Sequence, residues 1–228
     1  MTGLATLLVL ADGRLPSGGH AHSSGLEAAV VAGRVHDLDT LAGFLTGRLA
    51  TGGRTAAAFA AAAAAAGCDA TAPASDDATA RLDALDDGLD ARTPSPALRR
   101  ASRTQGRALL RAGRSIWSMP ADGRRERHQP VALGAVTAAA GLGPAQAALT
   151  AAYGAVTGPA SAAVRLLGLD PYAVHGLLAR LAPQIDAVAA EAATMAGWPV
   201  DDLPAGSAPI PEVDAEHHAT WEVRLFAS

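Results

Sequence analysis

Leu15-Pro16-Ser17-Gly18-Gly19-His20-Ala21-His22-Ser23-Ser24-Gly25-Leu26-Glu27 is the densest cluster of special residues in an alanine-rich chain of 228 residues. Pro16 fixes φ and lacks a donor, and Gly18 and Gly19 permit backbone shapes closed to other residues. The first half of the stretch is therefore predicted as a tight loop. The second half opens a helix, because Ser24 and Glu27 stand at the spacing of a capping box, in which the Ser side chain bonds the third helical N–H and the Glu reaches back. Leu26, Val30 and Val31 supply that helix with an apolar face, and Gly33 closes it. A loop presenting His20, His22, Ser23 and Ser24 at a helix start is compatible with several chemistries. Free N–H groups there attract anions, although the Gly-Lys-Ser/Thr of a P-loop is missing. His20 and His22 are metal-ligand types without a third ligand beside them. A nucleophilic serine lacks its Gly-x-Ser-x-Gly frame. The remaining reading is an ordered loop whose polar groups satisfy one another or a protein partner.

Around this loop the composition sets bounds. The length fits one domain, or one domain with a tail. Half the residues are apolar, but many are alanine, which favours helix and buries little area. Helices packed closely on one another, with leucines as the main filler, are the expected core. Almost nothing alternates with period two, so the fold class is all-α. The net charge of −4 is too small to imply a polyanionic partner for the whole surface, and every basic residue is arginine. Cys68 is alone, so no internal disulfide forms. No basic region precedes the apolar residues 4–10 as in a secretory leader, and residues 56–66 are too short to span a membrane. A cytoplasmic protein off the membrane is the expectation.

A short helix over residues 2–10 stops at Asp12-Gly13. After the loop and its helix, Asp37 caps a helix lined by Leu38, Leu41, Leu45 and Leu49. Gly52-Gly53 interrupts, and residues 54–66 form an alanine helix whose bare face suits close approach of a neighbour, including one from another subunit. Beyond a loop with Pro73, Asp76 or Asp77 caps a helix carrying Leu82, Leu85 and Leu89. Ser95-Pro96 is a cap followed by a first-turn proline, opening a long helix with Leu98, Gln105, Leu109, Ala112 and Ile116 inward. Arg99, Arg103, Arg107, Arg111 and Arg114 recur on another face of it. An arginine-dense loop ends in His128, read as exposed, and Pro130 starts the next helix. Further helices follow Pro144, bent at Gly158-Pro159, and Asp170-Pro171, bent at Pro183, with His175 packed. Asp86-Asp87 and Asp201-Asp202 read as solvated acids. Residues 1–198 form the compact multi-helix domain. From Pro199 four prolines and small polar residues predict an extended tail, residues 199–228, whose terminal Trp221, Val223, Leu225 and Phe226 dock on this chain or on another.

No set of nucleophile, base and orienting group emerges. The arginine stripe is either a phosphate-tracking surface or a solvated or inter-subunit helix face. His217-His218 is too small a set for a specific metal site. The chemistry is that of a binding protein. A helical small-ligand binder or enzyme using His20, His22 and Ser23, and a nucleic-acid regulator using the arginine stripe, stand as alternatives.

The chain resembles the urease accessory protein UreF family. Leu15-Pro16-x-Gly18 and Ser23-x-Gly25-Leu26-Glu27 follow that family's signature loop. Ser102, Gln105, Gly106, Arg107, Leu109 and Leu110 fit its Ser-x-x-Gln-Gly-Arg-x-Leu-Leu pattern. His128-x-Pro130-Val131 and Ser161-Ala162-Ala163-Val164-Arg165-Leu166 match in order. His218-x-Thr220 and Arg224-Leu225-Phe226-x-Ser228 resemble its terminal segment. The chain departs at His20, where an aromatic is common, and at Ala219, Trp221 and Ala227 in the tail. The resemblance implies an all-helical, homodimeric, cytoplasmic scaffold with no catalytic residue, no cofactor and no metal ligands of its own. It implies partnership with UreD (also called UreH), the GTPase UreG and apo-urease, nickel being handled by the complex. The residues it marks for partner binding are Pro16, Gly18, His20, His22, Ser23, Gly25, Glu27, Gln105, Gly106, Arg107, His218, Arg224, Leu225 and Phe226.

Overall fold

The alanine run, which no hydrophobic pattern orients, lies at the centre of the molecule. The computed structural model describes residues 3–67, 76–119, 126–206 and 208–228. Cys68, the loop with Pro73, and Arg124 and Arg125 lie outside them. Every regular element among the described residues is helical: α1 (Leu4–Ala11), α2 (Leu26–Val31), α3 (Leu38–Arg48), α4 (Arg54–Ala66), α5 (Asp76–Ala91), α6 (Pro96–Ile116), α7 (Gln129–Ala139), α8 (Pro144–Leu167), α9 (Pro171–Thr194) and α10 (Pro209–Ala219). They form one compact domain around α4, which packs on α5, α7, α8 and α9. Ala57 to Ala64, Phe59 among them, are shut off from solvent. The neighbours of the alanine face are thus helices of the same chain, not of another subunit. Short side chains let backbones meet: a Cβ on Gly134 of α7 would stand 2.3 Å from the Ala60 carbonyl oxygen.

Gly52-Gly53 does not interrupt the chain. Residues Leu49–Gly53 form a single π turn that joins α3 to α4. Gly53 serves close approach instead, since a Cβ there would lie 3.2 Å from Ala155 Cβ of α8. Asp37 and Thr40 form a reciprocal capping box on α3, and Leu41, Leu45 and Leu49 are buried as expected. Ser95 caps α6 and Asp170 caps α9, each followed by its first-turn proline. Pro159 and Pro183 sit within continuous helices. No helix among the described residues is long and apolar enough to cross a membrane.

Several side-chain expectations are corrected. Val31 and Ile116 are exposed, because α2 and α6 bury Ala28, Ala29 and Gly113 instead. His175 is exposed on α9, its Nδ1 2.9 Å from the Pro171 carbonyl. Asp86 and His128 are buried together: Asp86 accepts the His128 N–H at 2.7 Å and pairs with Arg103 at 2.9 Å. The His128 ring lies between Ser102 Oγ (3.0 Å) and Asp90 (2.7 Å). A buried carboxylate and a buried imidazole each need such partners: Asp86 finds the His128 main-chain N–H and Arg103, and the ring finds Ser102 and Asp90.

The tail is not extended. Residues Val200–Asp202 make a 3-10 turn whose carbonyls, with that of Leu203, are held by Arg92. Residues Pro209–Ala219 form α10, started by Pro209 in its first turn. The helix is held on its polar side. Glu212 accepts from the Ser95 N–H at 2.8 Å, Glu216 accepts from the Ser95 hydroxyl and from Ala97 N–H at 2.7 Å, and Asp214 pairs with Arg34. Two of these carboxylates meet the free N–H groups at the start of α6, where negative charge is favoured.

Candidate functional site

The signature loop and the end of the tail close on each other. Gly18 and Gly25 take left-handed φ values of 76° and 86°, which suit glycine, and between them the chain makes a 3-10 turn over Gly19–Ala21. Ser24 also takes a positive φ, 57°, so it cannot cap α2 as the spacing suggests. Ser23 does so instead: its Oγ accepts the Glu27 N–H at 3.2 Å and its carbonyl accepts the Leu26 N–H at 3.2 Å. Glu27 is thereby released from reaching back along its own helix.

Its carboxylate faces the tail. Oε1 accepts the Leu225 N–H at 2.8 Å, and Oε2 accepts the Phe226 N–H at 3.1 Å and contacts His218 Nε2 at 2.9 Å. Burial opposes the charge on Glu27, but the two main-chain N–H groups and His218 outweigh it and hold the carboxyl below its usual range. The strand-like run continues on either side. Ala227 N–H donates to the Ala21 carbonyl at 2.7 Å, and Ser23 N–H and Oγ–H both donate to the Ser228 main-chain oxygen, at 2.6 and 2.9 Å. His22 Nδ1 lies 2.7 Å from Ser228 Oγ, and burial pushes the His22 pKa down. Phe226 is 3% exposed, and the Arg165 guanidinium covers its ring at 4.4 Å from the centroid. Arg165 also donates to the His20 carbonyl at 3.1 Å.

The fourteen sequence-predicted residues thus divide. His22, Ser23, Gly25, Glu27, His218, Leu225 and Phe226 meet in one junction. Pro16, Gly18, His20, Arg224 and the Leu225 side chain are exposed around it, Leu225 at 74%. Gln105, Gly106 and Arg107 are on α6, where Gln105 lines the cavity that His20, His22 and Ser228 also border. There a Cβ on Gly106 would fall 1.9 Å from the Arg127 carbonyl oxygen, which seats the segment before α7 against α6. Arg107 is turned outward and pairs with Glu126 at 3.3 Å. Sequence reasoning missed Arg165 and Ser228 as parts of the junction, although both stand within matched motifs.

His20, His22 and Ser24 border that cavity, as a small-ligand reading of the loop requires, but the catalytic pairing of such a reading is absent among them. The Ser23 hydroxyl is committed to Ser228, and His22 Nδ1 faces the Ser228 hydroxyl rather than Ser23. Among the described residues no three His, Cys, Asp or Glu side chains cluster to hold a metal. His217 meets Trp221 edge to face and His218 meets it at a tilt, and His218 is given to Glu27. Of the arginine stripe, Arg103 is neutralised by Asp86 and Asp90, and Arg99 bonds the carbonyls of Thr93 and Pro94.

Residues 35–182 match the family model described as UreF. Over the full length of both chains, the protein is 47% identical to the urease accessory protein UreF of Mycobacterium sp. (strain JLS). It is 44% identical to that of Mycolicibacterium vanbaalenii and 45% identical to that of Mycobacterium marinum, again over the whole of each. The junction of loop and tail lies outside the segment matched by the family model but inside the full-length similarity to these relatives.

Proposed function

The chain belongs to the UreF family, and we propose that it is a non-catalytic cytoplasmic scaffold that works as a homodimer with UreD, UreG and apo-urease. In this reading it regulates the UreG GTPase within the complex and helps deliver nickel, the cargo, to the urease site. The observation that carries the proposal is the junction around Glu27. Two of the three segments that the family resemblance marks for partners are fixed to each other by buried polar bonds. His20, Arg224 and the Leu225 side chain are left exposed by this docking. The buried polar groups order the two segments, and the exposed ones are left to meet another polypeptide. The relatives are named accessory proteins, which fits a role in assembly.

Co-purification with UreD and UreG tests the proposal. A chain lacking residues 219–228 should keep its helical circular dichroism and lose partner binding. Unchanged binding by the shortened chain would sink the assignment of the junction. A monomer at every concentration by light scattering would remove the homodimer from it.

A further inference from the structure

A cavity of about 810 Å³ opens beside the junction, lined by residues 10–24, the π turn, the α8–α9 pair and parts of α5, α6, α7 and α10. This is the size of a small-molecule site, and its wall is mixed, apolar at Leu10, Leu133 and Val174 and polar at His20, His22 and Gln105 among many others. Three of those polar groups are the arginines Arg48, Arg92 and Arg165. None of the three makes an ion pair among the described residues; their N–H groups go to carbonyls. Arg48 donates to Ala155 and Ser24, both at 3.0 Å, Arg92 to Gly88, Val200, Asp201 and Leu203, and Arg165 to His20. A carbonyl satisfies a donor but does not cancel a charge. The wall also carries two carboxylates. Asp12 is paired with Arg14 at 2.7 Å, whereas the Ser95 N–H satisfies Glu212 without cancelling its charge, so one carboxylate stands against the three arginines. The cavity is therefore cationic in a chain whose net charge is −4.

We propose that this cavity binds a small molecule bearing an oxyanion, a phosphate or a carboxylate, with Arg48 as its anchor. Arg92 spends both terminal nitrogens on carbonyls, and Arg165 is exposed with its face against Phe226. Arg48 is partly buried, and its Nη2 makes no hydrogen bond among the described residues. Burial lowers its pKa to about 10, so it keeps its charge at neutral pH in surroundings that screen it less than water does. Arg48 ends α3 where the π turn begins, and its two carbonyl bonds fix the plane of the guanidinium. An oxyanion is the ligand chemistry that such a prepositioned fork recognises. The inference is independent of the scaffold reading and does not need a partner protein.

Titration calorimetry of the full chain with inorganic phosphate, and separately with succinate, tests it. Saturable one-to-one binding of at least one probe, weakening as salt rises, is expected. Arg48→Gln should lower that affinity by about tenfold or more, and Arg48→Lys should retain part of it. Phenylglyoxal modification of the unaltered protein removes any dependence on a variant's folding. The bound probe should protect Arg48 and leave the exposed Arg111 reactive. Absence of saturable binding for both probes up to about 10 mM overturns the proposal. So does a folded Arg48→Gln protein with unchanged affinity, or modification of Arg48 at the same rate with and without the probe.

Discussion

Replacing Glu27 by alanine removes the acceptor of two main-chain N–H bonds and the partner of His218 in one step. Glu27 is 5% exposed and Phe226 3%, so water does not replace the lost acceptor unless the tail moves. Leaving two buried main-chain N–H groups without their acceptor costs about 1–3 kcal/mol each. The cost falls on the docking of the tail and spares the domain, because residues 221–228 can leave while the core around α4 stays packed. About 4 kcal/mol corresponds to about a thousandfold in the equilibrium between docked and open tail. Hydrogen exchange reads it directly. The amides of Leu225, Phe226 and Ala227, bonded in the docked tail, should lose protection by about that factor in Glu27→Ala. Trp221, in ring contact with His217 and His218, should report the same opening by fluorescence. Helical circular dichroism should change little. Glu27→Gln, which keeps one acceptor oxygen, should fall between. Wild-type protection at Leu225 and Phe226 in a folded Glu27→Ala chain would refute the claim that this carboxylate holds the tail.

Gly106→Ala should destabilise the whole domain by about 3 kcal/mol or more, because its Cβ would meet main-chain atoms of Arg127 and His128 that cannot rotate away. In a chain of this size the thermal midpoint should drop by about 10 °C. Asp86→Asn should weaken the same seam by removing the charge opposite Arg103, which thermal melts against added salt would detect. Acidification gives a further expectation. Burial lowers the His22 pKa, and burial outweighs the opposing Asp90 bond for His128, so both fold neutral with values below the ordinary 6.5. The unfolded chain then binds more protons, and the stability they contribute is present above pH 6.5 and lost as pH falls through their folded values. Glu27, also lowered, adds its own loss only below its ordinary 4.5. Thermal midpoints should therefore decline from about pH 6.5 downward, and the Trp221 signal should begin to change over the same range because His22 sits in the junction that holds the tail; a midpoint flat across that range would contradict the histidine assignment.

Much of the fold is legible because local rules and packing agree. Ser95-Pro96, Asp170-Pro171 and Asp37 mark helix starts that tertiary contacts leave intact. Leu41, Leu45 and Leu49, and Leu82, Leu85 and Leu89, are buried at the helical spacing that predicts it. Legibility ends where a residue's role is set by what stands opposite. An alanine helix has no apolar stripe to orient it, so composition alone does not distinguish a centre from a surface; the glycine of α7 against Ala60 decides it. Gly53 has the same chemistry whether it breaks a helix or lets α8 approach, and only the partner helix selects the second. The proline-rich tail is misread for a related reason. Prolines 209 and 211 stand at a helix start, which tolerates them, and the helix is held by carboxylates capping α6 rather than by apolar burial.

The site shows the same limit at closer range. Ser23 and Ser24 are neighbours with the same hydroxyl, and spacing to Glu27 favours Ser24 as the cap. The positive φ of Ser24 moves the cap back by one residue. That shift changes what Glu27 is for. In a capping box its carboxylate would be spent on its own helix; with Ser23 as the cap, it is free to accept from Leu225 and Phe226, about two hundred residues away in sequence. The matched motifs single out both segments, yet nothing in their spacing says that they meet. The physical link is an excess of unspent acceptors on one side and unspent N–H donors on the other, both withdrawn from water. A chain with Ser23→Ala should therefore lose more than a helix cap. Removing that hydroxyl deletes the bond to the Ser228 main-chain oxygen as well as the one from Glu27 N–H. Its cost, about 1–2 kcal/mol for the cap alone, should appear in exchange at both α2 and residues 226–228. A loss confined to α2 would separate the two ends of the junction and break the argument that they form one unit.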